Sequence, residues 1–349
     1  MDEIEHEARV ALHYPSGPAP APGEAVELAP GVLWLRMPLP VVLDHINVWA
    51  LDDGEGWAVV DTAVSIKPIA DAWRAALSGP LGGRPVTRVL ATHMHPDHIG
   101  MAGWLTRRFD ARLWMTRLEY FACRMLVADT DREPPADGAR FLQAAGWTEP
   151  QVDHWRSRFG GFGKAVHALP DSYRRIRDGE TLLIGGREWR VIVGSGHSPE
   201  HACLYCPELK VLIAGDQVLP KISSNVSVFA TEPDADPLSE WLASLEKIVR
   251  EVPDDVLVLP SHGDPFHGLH ARAAELSAGH ATSLKRLRRS LAEPKRAVDV
   301  FGALFARSID DNVLGMATGE SLAHLNYLVA RGEAVREADE DGVWWYRAA

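Results

Sequence analysis

Three things are scarce in this chain, and each scarcity excludes something. Cysteine is nearly absent: 349 residues carry three, too few for a disulfide framework. Cys203 and Cys206 are spaced C-x-x-C, but Ala202-Cys203-Leu204-Tyr205-Cys206-Pro207 reads as a strand, where residues three apart face opposite sides. They are expected to be plain buried thiols, because a redox pair belongs at a helix N-terminus. Long apolar runs are missing as well. None approaches the ~20 residues of a membrane span. The acidic start Met1-Asp2-Glu3-Ile4-Glu5-His6-Glu7 lacks the apolar core of a signal peptide. The expectation is a soluble, cytoplasmic protein with no membrane partner. Positive charge is in deficit, with 36 Lys and Arg against 48 Asp and Glu and a formal net charge of −12. A nucleic-acid binder needs a concentrated cationic surface. Apart from the local run Lys285-Arg286-Leu287-Arg288-Arg289 the balance argues against one, and a small-molecule substrate is expected.

What is present is ordinary for a globular chain: 46% hydrophobic and 24% charged residues. Length allows one large domain with a small one beside it. Twelve Trp is a high count, and their scatter among periodic segments assigns most of them to core or cleft wall. Residues 1–25, acidic and then rich in Pro, Ala and Gly, read as a loose lead-in. Regular structure is expected from Gly31 to Arg36, followed by a hairpin of Asn47–Leu51 and Gly56–Asp61 around Asp52-Asp53-Gly54-Glu55. Ile66–Leu77 has helical apolar spacing. Arg88–Thr92 and Leu113–Met115 read as short strands, with a helix near 100–107 between them. Several helices are expected over 116–165, broken at Pro134-Pro135 and Gly160-Gly161, in a position to cap a site. Strands return at Thr181–Ile184, Glu188–Val193, Ala202–Tyr205 and Val211–Ala214. A helix capped by Asp236 with Pro237 at its first position follows. Val256–Pro260 is a further strand, and a long helix begins near Leu269. Short strands alternating with helices make the fold class α/β.

The chemistry sits where apolar strands end. Val59-Val60 runs into Asp61. Val89-Leu90-Ala91-Thr92 runs into His93-Met94-His95-Pro96-Asp97-His98. Val191–Val193 leads to Gly196-His197, Val211–Gly215 to Asp216, and Val256–Pro260 to Ser261-His262-Gly263. Loops at strand ends are where rigid scaffolds place function, and imidazole with carboxylate is a ligand set for zinc, manganese or iron. Burying so many polar groups without a partner would cost several kcal/mol. A metal accounts for them. His6, His13, His154, His167, His267, His270, His280 and His324 lack such a context and read as ordinary, while His45, ahead of a strand, is a candidate for the cleft wall.

The run His93-Met94-His95-Pro96-Asp97-His98 matches the H-x-H-x-D-H signature of the metallo-β-lactamase superfamily, and Asp61, Gly196-His197, Gly215-Asp216 and Ser261-His262-Gly263 follow in that family's order. The chain resembles the glyoxalase II-like and lactonase-like branches over about residues 30–270. The resemblance implies a four-layer αββα sandwich with its site at one sheet edge. By similarity His93, His95 and His197 would bind one metal and Asp97, His98 and His262 a second. Asp216 would bridge them, and Asp61 would orient the ligand loop from behind. Glu200 in Ser198-Pro199-Glu200-His201 departs from the Gly frequent at that place.

Two divalent ions, zinc foremost with manganese or iron as alternatives, would share a bridging hydroxide, a nucleophile that needs no Ser or Cys. The expected activity is hydrolysis of an ester-like bond, thioester or lactone favoured, with Asp97 and Asp216 moving protons. Asn225, shortly after Asp216, is read as a substrate contact. Competing readings are a phosphodiesterase or nuclease, a mononuclear iron sulfur dioxygenase, and a non-enzymatic regulator. Beyond a catalytic domain of residues 26–270, the region 271–349 ends in a helix (318–331), a strand (332–337), an acidic turn and a strand (343–347). Several family members carry such an extension. It resembles a winged helix, but the acidic turn favours a structural or homodimer-forming role over nucleic-acid reading.

Overall fold

The computed structural model describes residues 12–41 and 43–349; the first eleven residues of the lead-in, with His6, lie outside them. The first sheet has seven strands in sequence order: β1 (Val26–Ala29), β2 (Val32–Pro38), β3 (His45–Asp52), β4 (Trp57–Val60), β5 (Val86–Leu90), β6 (Arg112–Met115) and β7 (Arg174–Arg175). Strands β1 to β4 form an antiparallel meander and β4 to β7 run parallel. The expected β3–β4 hairpin is there, turning at Gly54 with φ +78°. Ordered pairing begins earlier than Gly31, because Val26–Ala29 already pairs with β2. Helices α1 (Lys67–Ser78), α2 (Pro96–Ile99), α3 (Ala102–Phe109) and α4 (Arg117–Ala128) punctuate this half, and α5 (Ala136–Ala144), α6 (Glu149–Arg158) and α7 (Gly161–Lys164) fill the segment before β7.

The second sheet has five strands in the order β12-β11-β10-β9-β8: β8 (Thr181–Ile184), β9 (Arg187–Gly194), β10 (His201–Cys206), β11 (Val211–Gly215) and β12 (Leu257–Pro260). Only β11–β12 is a parallel pair. Between β11 and β12 lies α8 (Pro237–Glu251), capped as its sequence predicts by Asp236, whose carboxylate accepts from the Ser239 N–H at 3.2 Å. Then come α9 (Leu269–Ser290), a 3-10 turn at Ala297–Val300, α10 (Phe301–Leu304), α11 (Leu314–Ala330) and the ribbon β13 (Ala334–Ala338)–β14 (Trp344–Ala348).

Period-2 patterning explains the stacking. Val32, Trp34, Trp49, Leu51, Ala58 and Val60 of the first sheet pack against Trp189, Val191, Leu204, Val211, Ile213 and Leu259 of the second, forming one inter-sheet core. The opposite face of the first sheet packs on α1, α3 and α4. That of the second packs on α8, α9 and α11, and takes in Tyr346 of β14. Cys203 belongs to this outer core and Cys206 to the inter-sheet core, on opposite faces as expected; all three cysteines are free and buried. Trp34, Trp49, Trp73, Trp189 and Trp241 are fully buried. No described helix is long and apolar enough to cross a membrane.

Candidate metal centre

Strand polarity assembles the site. β4 and β5 are parallel neighbours, so Asp61 and the His93–His98 loop emerge side by side. β9 and β11 both run antiparallel to β10, and β12 runs parallel to β11, so His197, Asp216 and His262 leave the second sheet at one edge. The two sheets are stitched there. Asn47 of β3 donates its amide to the Pro260 and Gly263 carbonyls at 2.8 and 2.7 Å, and the Ala202 N–H donates to the Thr92 carbonyl at 2.8 Å. Gly215, with φ +55°, permits the turn into Asp216; a Cβ there would sit 2.4 Å from His201 Nε2.

All seven residues anticipated as ligands meet in this edge. Three groupings bring their ligand atoms within 4.8 Å of one another: His93, His95 and His197; His93, His98 and Asp216; Asp97, His98 and His262. In the first, His93 Nε2 lies 2.8 Å from His95 Nδ1 and 3.3 Å from His197 Nε2. The far nitrogens are already engaged: His93 Nδ1 donates to Thr92 Oγ1 at 3.0 Å, and His197 Nδ1 donates to the Asn225 carbonyl at 2.7 Å. Neutral rings held this way point lone pairs at one another, an arrangement that a cation between them relieves. In the other groupings, His98 Nε2 and His262 Nε2 approach Asp97 Oδ2 and Asp216 Oδ1 at 3.3 to 3.6 Å. Yet His98 Nε2, His262 Nε2 and Asp216 Oδ1 are buried with no hydrogen-bond partner. Asp216 turns its other oxygen, Oδ2, toward His197 Nε2 at 3.5 Å, so its two oxygens face the two halves of the site. Orphaned polar atoms of the zinc-type donor set, converging in a buried edge, fit a divalent ion.

The electrostatics agree. Burial, then neighbouring imidazoles, holds His93 well below its ordinary value and pushes His95 down to about 3, so both stay neutral donors at pH 7. Burial opposes the charged forms of His98 and Asp216 too. The carboxylates Asp216, Asp97 and Asp61 nevertheless raise His98, and His262 and His98 hold Asp216 well below the carboxylate range.

Asp61 stands behind the cluster, fully buried, with φ +60°. Its carboxylate accepts from the Thr92 N–H at 2.8 Å, from Thr92 Oγ1 at 2.9 Å, and from His98 Nδ1 at 2.8 Å. It thereby fixes which nitrogen of His98 faces the cluster. His45 lies beside the site as a support: its carbonyl accepts from His262 Nδ1 at 2.8 Å, and its Nε2 accepts from the Gly263 N–H at 3.0 Å. Asn225, read from the sequence as a substrate contact, is engaged within the protein. Its side-chain amide is taken up by Glu320 and Ser227, and its backbone carbonyl is what reaches the site.

Two residues here were not anticipated. His201 is fully buried beside His93, ring centroids 4.9 Å apart, and its Nε2 accepts from the Asp216 N–H at 3.1 Å. Glu119 of α4, also fully buried, accepts from the Met94 N–H at 2.9 Å and the Glu200 N–H at 2.7 Å, tying together the two loops that carry His93, His95 and His197. The sequence signals were slight: for His201 its place at the end of Ser198-Pro199-Glu200-His201, just before an apolar strand, and for Glu119 an acid on the apolar face of a helix. Glu200 settles its own loop, its carboxylate accepting from the Leu118 N–H at 2.8 Å and its carbonyl from Thr116 Oγ1 at 2.7 Å.

Two paired sheets with a His/Asp cluster at their shared edge define a metal-site fold, and comparison with known proteins gives its family. The family model described as Metallo-beta-lactamase superfamily matches residues 41–262, and that described as Metallo-beta-lactamase-like, C-terminal domain matches residues 284–349. The crystal structure of a beta-lactamase domain protein from Burkholderia ambifaria is 44% identical, covers 97% of this chain and 98% of its own, and superposes with a TM-score of 0.88. The acyl-coenzyme A thioesterase MBLAC2 of Gallus gallus is 25% identical over 245 residues, 68% of this chain and 80% of its own. A linear primary-alkylsulfatase from Pseudomonas sp. is 25% identical over 224 residues, 61% of this chain but 40% of its own. The chain belongs to the metallo-beta-lactamase superfamily and is a metal-dependent hydrolase of that superfamily with a His/Asp metal site.

Proposed function

We propose that this protein is a binuclear hydrolase of an ester-like bond in a small molecule, a thioester before a lactone. His93, His95 and His197 would hold one ion, Asp97, His98 and His262 the other, and Asp216 both. The observation that carries this reading is the set of buried atoms without partners, His98 Nε2, His262 Nε2 and Asp216 Oδ1, opposite three converging imidazole nitrogens. Two bound divalent ions, zinc foremost, supply a water acidified toward neutral pH and a Lewis acid for the scissile carbonyl. The protein's own contribution is placement. Asp61, Thr92, His45 and Asn225 each take the rear nitrogen of a ligand ring, so the front nitrogens need no reorganisation. Asp97, its side chain 27% exposed against 10% for Asp216, is the carboxylate open to a substrate and the better placed to pass a proton to a leaving group.

The thioester preference is supported by the activity named for the Gallus gallus relative. The intact Asp97–His98–His262 grouping argues against a mononuclear oxygenase, and the net charge of −12 against a polynucleotide substrate. The helix–sheet–sheet–helix stacking supports reading residues 26–270 as the four-layer αββα sandwich. Helix α11 with the β13–β14 ribbon supports a winged-helix-like element within 271–349, whose role we take to be structural. The test is turnover of matched acyl-thioester, lactone, phosphodiester and alkyl sulfate substrates by zinc-loaded protein. Thioester cleavage at least tenfold above the others is expected; exclusive phosphodiester or sulfate cleavage would overturn the substrate class.

A further inference from the structure

One partly buried line of hydrogen bonds leaves the site in an unexpected direction. His197 Nδ1 donates to the Asn225 carbonyl. Both ends of the Asn225 side-chain amide are held: Nδ2 donates to Glu320 Oε2 at 2.9 Å, and Oδ1 accepts from Ser227 Oγ at 2.6 Å. Glu320 lies on α11, in the segment matched as the C-terminal domain and 95 residues beyond Asn225. Helix α11 presses closely on this extended segment. The Val228 N–H donates to the Gly319 carbonyl at 3.0 Å, and a Cβ on Gly319 would come within 2.7 Å of Ser227 Oγ.

The rest of the loop between Asp216 and Asn225 is held from the same side. Arg272 of α9 donates Nε to the Leu219 carbonyl at 2.7 Å and Nη2 to the Ile222 carbonyl at 2.9 Å, and His280 of α9 meets Ser223 Oγ at 3.2 Å. Thus the C-terminal helices, together with one bond from Ser224 Oγ to the Asp216 carbonyl at the end of β11, hold the segment that presents the Asn225 carbonyl. Glu320 has no cationic partner among the described residues, and burial pushes its carboxyl up to about 7. Such a group is unfavourable for stability alone, which singles it out among the contacts of α11.

We propose that Glu320 is a positioning residue for the metal centre: by holding Asn225 it keeps the Asn225 carbonyl on Nδ1 of His197 and so aims His197 Nε2 into the first triad. The C-terminal region is then part of the site and not an appendage to it. This rests on the metal-site reading above. Partners behind a ligand ring are commonly worth about 10- to 100-fold in metal affinity.

The experiment is competitive zinc titration of the full-length, metal-stripped chain against a chromophoric chelator, with the thermal midpoint of each stripped variant as the folding check. Glu320→Ala should lose about 10- to 100-fold in affinity for one of the two ions. Glu320→Gln, which still accepts from Asn225 Nδ2, should stay within about threefold of wild type, well short of that loss. Asn225→Ala keeps the carbonyl but loses the tether. It should match Glu320→Ala, and the double variant should be no worse than either single one. Thr318→Val removes a different bond of α11, the one from Trp147 Nε1 to Thr318 Oγ1 at 2.9 Å, and should leave affinity unchanged. Wild-type affinity in folded Glu320→Ala, or in Asn225→Ala if Glu320→Ala does not fold, would overturn the role of Glu320. So would an equal loss in Thr318→Val. Failure of the wild type itself to take up zinc would instead overturn the metal reading.

Discussion

Two groups of buried histidines lie in this molecule, and they differ in one respect that decides what each is for. His280 and His324, on α9 and α11, close on each other: His280 Nδ1 and His324 Nε2 are 3.1 Å apart, His280 Nε2 meets Ser223, and His324 Nδ1 donates to the Glu320 carbonyl at 2.8 Å. Every ring nitrogen has a partner. In the sheet-edge group the rear nitrogens of His93, His98, His197 and His262 are satisfied, but the front ones converge on carboxylates and on one another. Satisfied histidines pack; histidines with unspent nitrogens aimed at a common point wait for a ligand. Burial does not separate the groups, since both are largely hidden from solvent.

The sharpest way to break this distinction is at Asp216. Asp216→Ala should abolish turnover, by at least about 10³-fold, equivalent to about 4 kcal/mol on the barrier, and should lower the metal content; retained turnover would remove Asp216 from its central place. Next is Asp61→Ala, which takes the carboxylate from the Thr92 N–H and from His98 Nδ1, leaving the latter only Thr92 Oγ1 at 3.3 Å. About a 10- to 100-fold loss of affinity for an ion is expected, read by chelator competition.

A smaller effect of opposite character is expected at His280→Ala. Unpairing His324 and Ser223 should cost about 1–3 kcal/mol in chemical denaturation while two ions per chain remain bound. Loss of metal there would show that the closed pair is no mere packing device.

The smallest effect is in pH. Burial, with the neighbouring ring of His324 adding to it, holds His280 down to about 3, and burial holds His324 down to about 4, both beneath the ordinary 6.5. In acid the unfolded chain therefore binds these protons first. Their contribution is full above pH 6.5 and is lost as pH falls toward 4 and then 3. Glu320, raised from 4.5 to about 7, acts in the opposite sense over pH 4.5–7 but is one group against two. Metal-free protein should lose thermal stability from pH 7 to pH 5, and His280→Ala should show a shallower slope.

Much of the site was legible because its ligands are local in sequence or sit at strand ends. Four of the seven fall within His93–His98, and each other one follows a run of Val, Ile and Leu that can only be a buried strand. The hairpin, the Asp236 cap and the alternation of strands and helices were legible for the same reason: they obey short-range periodicity. What was not legible depends on pairs far apart along the chain. Glu119 reaches Glu200 across 81 residues, Asn225 reaches Glu320 across 95, and neither spacing carries a pattern. Asn225 was noticed for its position, but its backbone role was not, because sequence does not say whether a side chain or its backbone carbonyl faces a site. Val26–Ala29 escaped because it is a partly exposed edge strand without a continuous apolar run, and Arg174–Arg175 because two Arg carry no apolar signal at all.

Metal content by mass spectrometry, on full-length protein purified without chelator, bears most directly on the sheet-edge cluster. Close to two divalent ions per chain, falling toward one in Asp97→Ala, is the expected result. Protein that carries no metal and takes up none on titration with zinc, manganese or iron would contradict the metal centre and leave its unpaired atoms without an explanation.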